Sequence, residues 1–325
     1  MTTKNYMALH QHAGFSILAD QSVLAIGGRH RTRWLHGMIT QDVNGLGPGE
    51  SRYACVVNIK GKVQQDFQLF NDHDGEQLML IMDASRIAPL VESLRKYIVA
   101  ERITFDEHMG KTTLVTVQGP AAAEVLGHPQ ADITLADWAG VSLRIARHRR
   151  GPHDGYDLLV PSDVVDSVTA ELTVQGAVAV SGDDLEVVRI EAAIPRYGVD
   201  MDGTIIPLEA CMLDAIHWEK GCYVGQEVLA RMFHRGHTNK ELRQLTISGE
   251  SLPEVGAEIF PSPEGDKACG TITSSVFSPQ RESILALGYV RRKQFDPGTA
   301  LHVSVAGTLA DAQVTSQTIR APFGE

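Results

Sequence analysis

Cysteine is scarce in this chain. Four thiols, Cys55, Cys211, Cys222 and Cys269, are scattered over 325 residues with no C-x-x-C and no Cys/His pair at zinc spacing. That spacing argues against a structural zinc site and against a disulfide framework, so the thiols are expected to be reduced. The thirteen histidines show no H-x-x-x-H or similar ligand spacing, and no metal site is expected. A basic surplus is also missing. Lys and Arg number 29 against 40 Asp and Glu, a net charge of −11, and a surface that negative disfavours non-specific contact with nucleic acid while leaving room for a local basic patch. No apolar run approaches the roughly 20 residues that span a bilayer, and the N-terminal stretch has no signal-peptide h-region. The chain reads as soluble and cytoplasmic, with no membrane partner. Heptads, low-complexity tracts and fixed-period repeats are absent as well.

What is present is an ordinary globular composition, 43% hydrophobic and 21% charged, in a chain long enough for two or three domains. Residues 23–26, 53–58, 67–70, 77–82, 113–117, 141–146 and 156–160 read as strands, with a turn at 71–75. Helical spacing marks residues 29–39, 85–99, 121–126 and 163–174, with Ile87, Leu90, Val91, Leu94 and Ile98 on one face of the second and Pro89 expected in or near its first turn. Strands and helices without regular βαβ spacing imply an α+β fold. Beyond residue 240 helical periodicity stops, and short strand candidates at 242–247, 258–260, 270–276, 284–290, 300–305 and 312–315 imply a small C-terminal β-barrel or sandwich. The expected division is 1–239, an α+β region of two interleaved subdomains with helix 85–99 in one of them, and 240–325, the barrel. Cys55, in an apolar run, and Cys269, in a strand-like segment, are expected to be small core residues.

The most specific segment is Lys220-Gly221-Cys222-Tyr223-Val224-Gly225-Gln226-Glu227, followed by Arg231. Its glycines permit a tight turn around Cys222, and Lys220, two residues away, would favour the thiolate. An inert, packed turn fits the same letters equally well. Arg231, Arg235, Lys240 and Arg243 form the one notable basic cluster. Asp66, taken alone, reads as a solvated strand carboxylate.

The string K-G-C-Y-x-G-Q-E-x-x-x-R resembles the signature of YgfZ-type proteins. Val117-Gln118-Gly119-Pro120, Arg189-Ile190-Glu191-Ala192, Tyr197 to Asp202, Gly270-Thr271-Ile272 and Gly288-Tyr289-Val290 resemble segments of the wider GcvT, or glycine-cleavage T-protein, family. The resemblance implies a multidomain T-protein-like folate-binding fold ending in a barrel, with tetrahydrofolate or its 5-formyl or 5,10-methylene derivative as ligand. It also implies site residues. Asn58 to Phe67 resembles the element N-x-x-G-G-x-x-D-D-L, whose catalytic carboxylate falls on Asp66, with Gln65 and Lys62 as departures. Asp154-Gly155-Tyr156-Asp157 resembles D-G-x-E, which makes Asp157 the expected pterin anchor, one methylene short. Tyr53, Asn58, Met79 and Ile81 would line the pterin, with core packing the bland alternative for Tyr53, Met79 and Ile81. Arg231 would reach the folate tail or a partner, and Cys222 with Lys220 would be catalytic beside the pocket. Arg189 and Glu191 are expected to form a structural ion-pair network.

The implied function is support of iron–sulfur cluster assembly or repair, and through it tRNA modification, with iron–sulfur enzymes or assembly factors as clients. The alternatives are an aminomethyltransferase passing a one-carbon unit to tetrahydrofolate, and a non-enzymatic folate-dependent scaffold that docks clients through its barrel.

Overall fold

The computed structural model describes residues 3–107, 111–138, 140–264 and 267–315, with side chains from residue 5 onward; the last ten residues of the expected barrel region lie outside them. The chain begins with α1 (Thr3–Gln11), β1 (Gly14–Leu18), β2 (Gln21–Gly27), α2 (Arg31–His36), β3 (Ser51–Val57), β4 (Val63–Asn71), β5 (Leu78–Asp83), α3 (Ala84–Arg95) and β6 (Thr104–Glu107). It continues through β7 (Thr112–Gln118), α4 (Ala122–Val125), β8 (Ile133–Trp138), β9 (Val141–Arg147), β10 (Gly155–Pro161), α5 (Val165–Val174), β11 (Val178–Ala179), α6 (Gly182–Glu191) and α7 (Gln226–Arg235). The last six strands are β12 (Lys240–Ile247), β13 (Glu258–Phe260), β14 (Gly270–Ser278), β15 (Ser283–Arg291), β16 (Ala300–Val305) and β17 (Thr308–Val314).

Two open sheets and a barrel result. The first sheet runs β3-β4-β5-β2-β6 and the second β11-β1-β7-β10-β9-β8, while β12-β15-β14-β13-β16-β17 closes on itself through the β12–β17 pair. Mixed helix and sheet with a C-terminal barrel is the architecture the strand and helix pattern implied. Closure leaves the barrel no free edge, and alternation along its strands fills it with Leu245, Ile259, Ala286, Val290 and Val303.

Alternation also explains how the open sheets stack. In the first sheet Leu24, Phe67, Leu69 and Leu80 face the helices, where Trp34, Leu35, Ile87, Leu90, Val91 and Leu94 cover them. The opposite face presents Val23, Phe70, Met79 and Ile81 to Leu114, Ala146 and Leu159 of the second sheet. Helix α3 starts where Asp83 accepts the Ser85 N–H at 2.9 Å. It stops at Arg95, not at 99, and Pro89 falls in its second turn, beyond the position expected for it. A further core, including Val57, Ile206, Met212, Tyr223, Leu285 and Leu287, joins the barrel to the first sheet through the connection that precedes α7. No helix among the described residues is long and apolar enough to cross a membrane.

Candidate functional site

The packed face between the two open sheets does not fill completely. At one end it leaves a cavity of about 380 Å³, bounded by Tyr53, Asp66, Gln68 and Ile81 from the first sheet, Arg150 from the connection between β9 and β10, and Tyr197 from the loop after α6. That volume suits a small organic ligand.

Asp66 and Gln68 share the inward face of β4, because side chains two apart on a strand point the same way. The Tyr53 hydroxyl donates to Asp66 Oδ2 at 2.7 Å from the neighbouring strand β3. Burial pushes the Asp66 carboxyl up to about 6, and the Tyr53 hydrogen bond offsets only part of that cost. A carboxyl titrating there can both lend and take a proton near neutrality. Burial and the adjacent Asp66 charge push the Tyr53 phenol upward, so it stays a donor. Gln65, which occupies the place of a second carboxylate, donates from Nε2 to the Asp66 carbonyl at 2.8 Å and accepts from Arg86 Nε at 3.2 Å. The Arg86 guanidinium lies 4.3 Å above the Tyr197 ring.

Asp157 sits otherwise. It is 0% exposed and is not part of the cavity wall. Arg150 takes both of its oxygens, Nε to Oδ1 at 3.1 Å and a terminal nitrogen to Oδ2 at 2.6 Å, and His148 Nδ1 lies 2.8 Å from Oδ2. Those partners outweigh burial and hold the carboxyl far below the usual carboxylate range. The anchor expected at this position is therefore an internal ion pair, with Arg150 between it and the cavity. Gly155 is needed for the arrangement: a Cβ there would stand 2.1 Å from Gln118 Oε1, the oxygen that accepts the Arg150 backbone N–H at 2.9 Å.

The Lys220–Glu227 segment is largely a structural joint. The Lys220 ammonium donates to the carbonyls of His36, Ile39 and Gln41, closing the C-terminal end of α2. Burial lowers it to about 8. Its charge is directed into these carbonyls and not at Cys222, which corrects the role expected from adjacency. Tyr223 is buried beneath it, and Gly225 lies against the Asn58 carbonyl so closely that a Cβ would come within 2.3 Å. Cys222 is left exposed, outside the cavity wall. Asn58 closes the β3–β4 turn by accepting the N–H groups of Lys60 and Lys62 at 2.9 and 3.1 Å. Met79 is core, Cys55 and Cys269 are buried, and Arg231 is exposed on α7. Of the positions expected in one pocket, the structure brings Tyr53, Asp66 and Ile81 together on the wall. It places Cys222, Lys220, Asn58, Met79, Arg231 and Asp157 elsewhere.

Arg189 and Glu191 both belong to structural networks, but separate ones. Arg189 bridges Glu186 and Asp200, whose other oxygen accepts from Thr273 and Ser274 of the barrel. Glu191 accepts from Tyr6 and Ser278 and pairs with His10. Among the described residues Asp72, His73 and Asp74 bring possible metal-ligand atoms together, but Asp72 already receives a two-pronged hydrogen bond from Arg144. Gln68 passed unnoticed in the sequence, since a polar letter in a strand signals nothing until its face is known.

Residues 1–220 match the GCVT N-terminal domain, and residues 240–319 match the glycine cleavage T-protein C-terminal barrel domain. An aminomethyltransferase of Thermosynechococcus vestitus is 28% identical over 329 residues, covering 98% of this chain and 87% of that protein. One of Prochlorococcus marinus is 25% identical over 340 residues, covering 98% and 89%. Among solved structures, the glycine cleavage system aminomethyltransferase T from Bartonella henselae superposes with a TM-score of 0.87 at 21% identity, over 99% of this chain and 90% of that one, a likeness of fold. With the N-terminal family covering well over half of its length and the barrel family most of the rest, the chain belongs to the GcvT family.

Proposed function

We propose that the cavity binds a reduced folate, tetrahydrofolate or its 5-formyl or 5,10-methylene derivative, with the reactive edge of the pterin against Asp66. The observation that carries this reading is the Tyr53–Asp66 pair on the wall of a 380 Å³ cavity. A carboxyl near pH 6 is suited to moving a proton at a ring nitrogen as it gains or loses a one-carbon substituent. The phenol fixes which oxygen faces the ligand. Apolar Ile81 supplies a nonpolar surface for the ring to lie against.

For the role this binding serves, we favour support of iron–sulfur cluster assembly or repair in the cytoplasm, with iron–sulfur enzymes or assembly factors as clients and tRNA modification as an indirect beneficiary. The supporting feature is Cys222, held at the surface by a complete K-G-C-Y-x-G-Q-E-x-x-x-R string whose Lys220, Tyr223 and Gly225 are built into the fold. Because the thiol lies outside the cavity wall, its work in this reading is on a partner and not on the folate. The second reading is an aminomethyltransferase, favoured by the names of the full-length relatives and by Asp66 at the catalytic position. Gln65 and Lys62 depart from that enzyme's element.

One experiment separates the two. Purified protein is given tetrahydrofolate and a lipoyl carrier bearing an aminomethyl group, and release of ammonia and 5,10-methylenetetrahydrofolate is followed. The iron–sulfur reading expects no turnover and expects the wild-type gene, but not Cys222→Ser, to restore iron–sulfur enzyme activity in cells lacking it. Multiple turnover would overthrow it in favour of the transferase.

A further inference from the structure

Gln68 carries a cost that nothing in the protein offsets. It is 1% exposed, and neither its Oε1 nor its Nε2 has a hydrogen-bond partner. It lies on the cavity wall, between Tyr53 on β3 and Ile81 on β5 in register. Two residues further along the same face is Phe70, fully buried in the packing between the sheets. A leucine or isoleucine at Gln68 would extend that apolar face at no polar cost. An amide left without partners in such a place gives up its hydration and regains nothing for it. The two free atoms are a donor and an acceptor side by side.

We infer that the Gln68 carboxamide is the group that reads the ligand ring, pairing with the lactam edge of a pterin, its N3–H and C4 carbonyl. This rests on the folate reading above and assigns the ring recognition that Asp157, closed off by Arg150 and His148, does not supply in this arrangement. An N–H and a carbonyl on adjacent ring atoms match an amide turned to present its oxygen to the first and its nitrogen to the second. Asp66 and Gln68 are one pleat repeat apart on β4, ~7 Å, a distance comparable with the span of a bicyclic ring. A ring lying along β4 therefore meets the amide at its lactam edge and the carboxyl at the neighbouring nitrogen.

The test compares wild type with Gln68→Leu and Gln68→Met by thermal melting without ligand and by calorimetric titration with 5-formyltetrahydrofolate and with tail-less 6-methyltetrahydropterin. Both variants should melt at or above wild type, since a buried unpartnered amide is gone. Both should bind each ligand at least tenfold more weakly, about 1.4 kcal/mol. A residue that merely fills space would move stability and affinity in the same direction. Unchanged affinity in a folded variant overturns the inference, and so does a loss confined to the ligand that carries the tail. A wild-type protein that binds neither ligand fails earlier, at the folate reading itself.

Discussion

Asp66 of the first sheet and Asp157 of the second behave in opposite ways. Asp66 has a neutral phenol for a partner and titrates near 6. Asp157 is more deeply buried, yet an arginine and a histidine hold it ionised far below the ordinary range. Burial alone therefore does not decide the charge state; what the carboxylate touches does. The difference divides the labour: Asp157 is spent on holding the second sheet and the 148–150 turn together, whereas Asp66 keeps a proton available at the cavity.

The largest effect is expected from breaking the Asp157 side. Arg150→Met leaves a buried carboxylate with only a neutral imidazole, and stability at pH 7 should fall by about 3 kcal/mol. His148, whose pKa is lowered by burial and by Arg150, should regain part of its basicity. The gap from wild type should narrow on acidification, because a depressed carboxyl gives stability above its unfolded pKa of about 4 and the variant's carboxyl protonates sooner. Urea melts between pH 4 and 7.5 measure both effects.

The reverse sign is expected at Asp66. Its pKa is raised in the fold, so the native state holds the proton more tightly and loses stability as pH rises from about 4 to about 6. Asp66→Asn should therefore melt higher than wild type at pH 7.5, by about 3 kcal/mol, and the gain should vanish below about pH 4. Folate-dependent proton chemistry should be lost in the same variant. A destabilised Asp66→Asn at neutral pH would show that the carboxylate is structural after all.

Tyr53→Phe sharpens the contrast with a smaller change. Removing the hydroxyl takes a hydrogen bond from the ionised carboxylate, so Asp66 should titrate higher still, at a stability cost of about 1 kcal/mol. Carboxyl carbon chemical shifts followed against pH would read this directly. The smallest effect belongs to Cys222→Ser, outside both aspartates, which should melt within about 0.5 kcal/mol of wild type. Brief iodoacetamide treatment should label Cys222 ahead of Cys55 and Cys269, both buried.

The contrast was only half legible in the sequence. The barrel was plain because its six strands alternate and are separated by turn residues, and Asp66 stood out through its motif. Helix α6 gives little periodic signal, and its one readable mark is S-x-x-D, the capping box that Ser181 and Asp184 form at its start. Lys220 and Asp157 turn elsewhere than expected, for two reasons: adjacency to Cys222 does not say which way the Lys220 side chain turns, and a motif match at Asp157 does not show which partners its carboxylate meets. Lys220 turns from Cys222 into the carbonyls after α2, and Asp157 turns to an arginine seven residues earlier in the chain. Gln68 became visible only when register showed its face to be inward.

The central claim, that a reduced folate lies in this cavity with its ring against Asp66, is tested most directly by a crystal structure with 5-formyltetrahydrofolate bound. The account predicts the pterin between Tyr53, Ile81 and Tyr197, its N5 side at Asp66, the Asp157–Arg150 pair intact, and Cys222 out of contact with the ring. A pterin bound against Cys222, or a ligand that leaves this cavity empty and settles elsewhere, would contradict it.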